Sequence, residues 1–168
     1  RPNYIISILA LNKIGAIGVL INTSLTGNPL IHCIISSDSK KCIVGAELAS
    51  SLEEVLGEIN VKNKSDIYWV KDGSNYECPE WASDLDKLID KSKSNNLSIT
   101  NKVTAKDTAF YIFTSGTTGV PKAALFPNAK IIAASVNISK GGYRIDSSDC
   151  MYNCCLLYTS DAADEVLG

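Results

Sequence analysis

The sequence predicts an α/β fold, a mostly parallel sheet with helices on both faces. Three observations carry that prediction. Segments with helical apolar spacing alternate several times with short β-branched runs, and the connections between them are short. The composition is that of an ordinary globular domain, with 45% hydrophobic and 20% charged residues over 168 positions. Charge is also laid out unevenly: Arg1 and Lys13 are the only formally charged side chains before Asp38, so the front reads as interior and residues 38–107 as surface.

Taken in order, residues 4–14 are apolar on nearly every side, and Gly15 follows where a helix C-terminal cap would sit. That helix should pack on several faces. Residues 16–21 contain the β-branched Ile17, Val19 and Ile21 and run into Asn22, Thr23 and Ser24, which suits a buried parallel strand entering a loop. Asn28 and Pro29 supply an N-cap and a first-turn proline for a helix whose apolar face is Leu30, Ile31, Ile34 and Ile35. Cys42, Ile43 and Val44 read as the next strand. Leu48, Leu52, Val55, Leu56 and Ile59 recur at the spacing of the clearest amphipathic helix in the chain, and residues 67–70 follow as a strand. Trp81, Leu85, Leu88 and Ile89 mark a further helix, with Asp84, Asp86 and Asp90 on its solvated face. Residues 92–96 form a surface loop, and residues 109–113 a strand.

Several function classes drop out. With 16 Lys+Arg against 18 Asp+Glu the net charge is -2, which disfavours an electrostatic nucleic-acid binder. The six cysteines are too scattered for a disulfide scaffold or paired zinc ligands, and read as reduced thiols of a cytosol-facing protein. Residues 4–21 are apolar, but Asn12, Lys13, Gly15 and Gly18 interrupt them, so a buried helix and strand explain them better than a membrane span. His32 is the one histidine; with no second histidine for a metal site or triad, it reads as structural, and Cys33 and Cys42 as small core residues. The chain opens on Arg1 and Pro2 without an initiator Met and reads as cut at its front.

One segment is unlike the rest. Thr114-Ser115-Gly116-Thr117-Thr118-Gly119-Val120-Pro121-Lys122 packs four hydroxyls, two glycines and one lysine into nine positions. Glycines let successive backbone N–H groups turn toward one point, hydroxyls add donors and the lysine adds a positive charge, a combination suited to a polyphosphate. A solvated hairpin turn between two strands is the alternative. A Walker loop is excluded, because Val120 and Pro121 separate Gly119 from Lys122 and Ala123 follows.

Residues 111–122, Y-I-F-T-S-G-T-T-G-V-P-K, resemble the signature phosphate loop of the adenylate-forming (AMP-binding) superfamily, which includes acyl-CoA synthetases, luciferases and peptide-synthetase adenylation domains. Residues 20–25 (L-I-N-T-S-L), Gly27, Leu30, His32, Cys33 and residues 43–48 (I-V-G-A-E-L) narrow the resemblance to the very-long-chain acyl-CoA synthetases, also called fatty acid transport proteins. The resemblance implies that residues 1–154 are part of the N-terminal, AMP-binding domain of such an enzyme. It implies ATP-dependent formation of an acyl-adenylate from a fatty acid, then thioesterification with CoA, with Mg²⁺ as the metal and a link to fatty acid uptake. In-line attack on phosphorus needs positioning and charge neutralisation more than a protein nucleophile.

Thr114, Ser115, Gly116, Thr117, Thr118, Gly119 and Lys122 match the family loop that closes over the β- and γ-phosphates, with Lys122 as its point charge. No catalytic residue falls within the fragment by this matching. The implied setting is the cytosol-facing side of the endoplasmic reticulum or plasma membrane, with the full protein membrane-associated. Another adenylate-forming acid ligase, or a fatty acid transporter or binding module without ligase activity, are the alternatives.

Past Asn153 the family continues with a Leu-Pro-Leu-Tyr-His type segment, whereas residues 155–168 resemble a translated sequencing-library adapter and read as a non-native tail. The adenine-side Tyr-Gly-x-Thr-Glu segment, the ribose-binding Asp, the hinge and the C-terminal domain with its catalytic Lys are not in this sequence. The fragment alone is therefore expected to be inactive. It is also expected to be poorly soluble or partly unfolded, since a truncated sheet exposes strand edges and apolar surface.

Overall fold

A computed structural model describes residues 2–71, 73, 75–114, 121–142 and 144–150. The described residues fall into two compact units: one drawn from Arg1–Asn22, Leu97–Gly116 and Lys122–Gly168, the other from Thr23–Asn96 and Thr117–Pro121. Each has its own three-stranded sheet. The fold is α/β, and three of the four strand pairings are parallel.

The first unit begins with helix α1, Pro2–Lys13, which ends as its sequence requires. Gly15 takes the left-handed φ of 70°, its N–H donates to the Asn12 carbonyl, and the Ala16 N–H reaches back to the Leu11 carbonyl, both at 3.0 Å. These two bonds are a Schellman cap, which only glycine forms without strain. Strand β1, Gly18–Leu20, follows and pairs in parallel with β5, Thr108–Thr114. Gly18 is buried so closely against β5 that a side chain there would meet the Phe110 ring at 3.3 Å. On the other edge of β5 lies β6, Lys122–Pro127, antiparallel, and helix α5, Asn128–Val136, follows directly. Asn128 ties this unit together: its side chain accepts from Asn12 Nδ2 at 2.5 Å and donates to the Thr104 carbonyl at 3.0 Å. The polar Asn12 in the apolar front therefore has a buried-side partner in sequence-distant chain.

The second unit carries the core. Helix α2, Gly27–Ser36, precedes β2, Cys42–Gly45, and α3, Ala49–Glu53. Strands β3, Ile67–Val70, and β4, Ser83–Asp84, complete a parallel sheet in the order β2-β3-β4, and α4, Leu85–Asp90, follows β4. Cys33, Val55, Ile59, Val61, Ile67 and Trp69 are each at most 2% exposed and form its centre. Trp69 alone brings the largest apolar surface to that core.

Four expectations are corrected. The helix over residues 48–59 is only the single turn of α3, followed by tight turns in which Val55 N–H bonds Leu52 and Glu58 N–H bonds Val55. Leu52, Val55 and Ile59 at that spacing are buried nonetheless, and Leu48 and Leu56 half-buried, because consecutive turns repeat at nearly the helical period; Gly57 disfavours a longer helix. The cap of α2 is Thr26, not Asn28: Gly27, at a positive φ of 54°, is already the first helical residue, so the helix starts two residues earlier than the polar signal suggested. Trp81 lies before α4 rather than on it, because Asp84 caps that helix, accepting from the Lys87 N–H at 3.1 Å. The front is not interior either, since α1 has no buried residue; Tyr4, Ile8, Leu11 and Asn12 are half-buried on one face while Ile6 and Leu9 are about 60% exposed. Helix α5 had no counterpart in the sequence reading, and β6 had one only as the second strand of the hairpin alternative.

Candidate functional site

The stem of the hydroxyl- and glycine-rich loop is built by β5 and β6. Thr114 is the last residue of β5 and stands opposite Lys122, the first of β6. Residues directly opposite in an antiparallel pair share a face and stand about 5 Å apart at Cα. The half-buried Thr114 and the exposed Lys122 therefore project from the same side of the sheet at the mouth of the loop. This mouth lies at the carboxyl end of β5, which is also the carboxyl edge of the parallel β1/β5 pair, where α/β sheets place their ligands. Of the seven candidate loop residues the structure describes these two. Ser115, Gly116, Thr117, Thr118 and Gly119 lie outside the described residues, as do residues 155–168. The hairpin alternative is correct in its topology, since the segment does join two antiparallel strands.

The arm returning from the loop contains Pro121, and in the second unit its carbonyl oxygen lies 3.0 Å from His32 Nε2. A carbonyl can only accept, so the ring donates through Nε2–H. Sequence reasoning missed this contact. His32 and Pro121 are 89 positions apart, and nothing local to either announces the other.

The remaining candidates have structural roles. Burial pushes the Cys42 thiol up to about 11 and raises that of Cys33, so neither is a ready thiolate near neutrality. Cys78 is raised too, first by burial and then by the neighbouring Asp84. Asp84 is held below the usual carboxylate range, chiefly by the Lys87 backbone N–H; its other oxygen meets Lys87 Nζ at 3.1 Å. Asp86 faces the Lys71 N–H at 3.4 Å, and Asp90 is exposed. The first of the three is thus a helix cap rather than a solvated side chain. Among the described residues no group of three or more His, Cys, Asp or Glu side chains could hold a metal. No described helix is long and apolar enough to cross a membrane. The first unit also has an open apolar cleft of about 400 Å³, lined by Ile8, Leu9, Val103, Phe110, Ile131 and Ile132 among others.

Comparison with known proteins identifies the family and the fold. The AMP-binding enzyme family matches residues 1–160. A medium/long-chain-fatty-acid–CoA ligase of Mycobacterium tuberculosis is 32% identical over 161 residues, covering 96% of this chain and 25% of that protein. Long-chain fatty acid transport protein 1 of Bos taurus is 33% identical over 172 residues, covering 100% of this chain and 25% of that protein. The chain thus spans about a quarter of the length of these relatives. The crystal structure of a long-chain-fatty-acid–CoA ligase from Archaeoglobus fulgidus superposes with a TM-score of 0.72 at 21% identity, over 99% of this chain and 31% of that one. An anthranilate–CoA ligase in complex with anthranoyl-AMP gives 0.63 at 20% identity, over 76% and 23%. At these identities the structures establish the fold, and with the family match over residues 1–160 they show that this chain belongs to the AMP-binding enzymes.

Proposed function

We propose that this chain supplies the phosphate-loop segment of a fatty acid–CoA ligase. A fatty carboxylate attacks the α-phosphorus of ATP, the acyl-adenylate forms as pyrophosphate leaves, and the thiol of CoA then displaces AMP. One observation carries this reading: the hydroxyl, glycine and lysine segment opens at the carboxyl end of β5, with Thr114 and Lys122 paired across its mouth. The two ends of the segment are thereby held together, so binding does not bear the full entropy of closing it. Lys122 is exposed at the stem, where its ammonium can meet the β- and γ-phosphates and the charge that builds on the leaving pyrophosphate. Thr114, Ser115, Gly116, Thr117, Thr118 and Gly119 supply the hydroxyl and backbone donors around it. Mg²⁺ would share that charge, and the full-length protein works at a membrane surface of the endoplasmic reticulum or plasma membrane, facing the cytosol.

The test is ATP–pyrophosphate exchange in a full-length protein carrying this segment, with a long-chain fatty acid. Lys122→Ala is expected to slow adenylate formation roughly 100-fold, the scale of one preorganised electrostatic contact. Thioester formation from supplied acyl-adenylate should remain largely intact. Equal loss of both steps would contradict the role given to Lys122. Because relatives include proteins named for transport as well as for ligation, fatty acid uptake by the same variant is the second readout. Normal uptake without exchange would favour a transporter that does not depend on ligation. A long-chain against a short-chain acid in the exchange assay separates a fatty acid ligase from other acid ligases.

A further inference from the structure

We propose that His32 is a positioning residue for this loop, fixing the peptide plane through which the chain enters Lys122; the inference rests on the phosphate-loop reading above. Pro121 has a single backbone freedom to lose. Its ring already fixes φ near −65°, and it has no N–H to anchor. What remains is the direction of its carbonyl, and that oxygen is the group 3.0 Å from His32 Nε2. The carbonyl shares one rigid plane with the Lys122 nitrogen, so setting its direction sets that peptide plane.

The donor is itself held firmly. His32 sits on α2, whose next two residues, Cys33 and Ile34, are 0% and 4% exposed and anchor the helix in the core of its unit. The ring is half-buried, which limits competition from water for the carbonyl. A hydrogen bond donated to a backbone carbonyl moves no proton, so a positioning role differs here from acid–base catalysis.

The experiment compares His32→Phe, His32→Gln and His32→Asn with Lys122→Ala in a full-length ligase, reading KM for ATP, KM for fatty acid, kcat and melting temperature. His32→Phe keeps ring volume and removes the donor; its KM for ATP should rise about fivefold, the factor of one neutral hydrogen bond, with KM for fatty acid unchanged. Gln places an amide N–H near the position of Nε2 and should restore most of that loss, whereas the shorter Asn should not. The pH profile of the Gln variant should match that of the unaltered enzyme. If His32→Phe does not fold, the Gln and Asn pair carries the test, and equal KM for ATP in both overturns the proposal. It is also overturned if His32→Phe folds with KM for ATP unchanged while Lys122→Ala is crippled, or if both KM values rise together without rescue by Gln. Full activity of Lys122→Ala would instead remove the phosphate-loop reading itself, a result the histidine variants alone cannot produce.

Discussion

The two units of this chain treat their apolar residues in opposite ways. All the buried hydrophobic residues among the described positions, Ala109 excepted, lie in the unit around β2, β3 and β4. That unit is drawn from the charged middle of the sequence. The other unit is drawn largely from the more apolar segments, yet Ile6, Leu9, Leu97, Leu125 and Ile132 are each 59–60% exposed there. Burial is a property of what packs together, not of a residue's own polarity. In the middle region, apolar side chains alternate with lysines and carboxylates at turn and strand spacing, so a small sheet can turn one set inward. In α1 the apolar residues run all round the helix, and packing on one side leaves the other exposed.

The largest effect that would break this comparison is expected at Trp69. Its side chain is 1% exposed at the centre of the β2-β3-β4 unit, and Trp69→Ala should cost about 3–5 kcal/mol through lost burial and the cavity left behind. Denaturant unfolding combined with hydrogen exchange would read it, with protection lost first in β2 and β3. A cost under about 1 kcal/mol would show that this unit is not the better packed one.

A smaller loss is expected in the first unit at Gly15. A Cβ there meets Val103 Cγ2 at an ordinary 3.5 Å, so the cost is conformational rather than steric. Gly15→Ala should destabilise the end of α1 by about 1 kcal/mol, and Gly15→Asn by less, since Asn tolerates the left-handed region better. Amide exchange of Gly15 and Ala16, whose N–H groups make the cap bonds, is the direct readout.

Asp84 sharpens the comparison through pH. Its carboxyl is held below the usual range by the Lys87 N–H, so its contribution is fully present above the unfolded carboxylate pKa of about 4. That contribution is lost as pH falls through the lowered folded value. Asp84→Ala should cost about 1 kcal/mol near neutrality and little in strong acid, whereas Asp84→Asn keeps most of the cap without the acid dependence. A thermal-melt series from pH 7 to pH 2 checks this, and parallel curves for all three proteins would remove the carboxylate from the account.

What was legible in the sequence follows from the range of the interactions involved. The cap at Gly15 and the strand at Ile67 are local signals, and the chain places both as read; Thr114 and Lys122, read as the ends of a loop, are instead the last residue of β5 and the first of β6. The helix over residues 48–59 was misread because residues 52, 55 and 59 repeat at 3 and 4, a spacing that successive tight turns also satisfy. Strand β6 carried no β-branched residue across Ala123, Ala124 and Leu125, so only its pairing with β5 reveals it. His32 was read as structural because its partner is a backbone carbonyl 89 positions away, and backbone acceptors have no sequence signature.

The smallest expected effect decides most about the first unit. Ile6 is 60% exposed on α1, so Ile6→Gln removes little buried surface and replaces one residue tolerated in helices with a better helix former. Stability should change by no more than about 0.5 kcal/mol, as for surface substitutions elsewhere. Association is a different matter, since exposed aliphatic groups drive contact between copies even where they add nothing to folding. For the 168-residue chain, Ile6→Gln should therefore lower dye binding and light scattering while leaving the unfolding midpoint in place. A loss of about 2 kcal/mol or more would mean that Ile6 is packed in the folded chain. The contrast between the two units would then be one of composition only, because the apolar front would be buried after all.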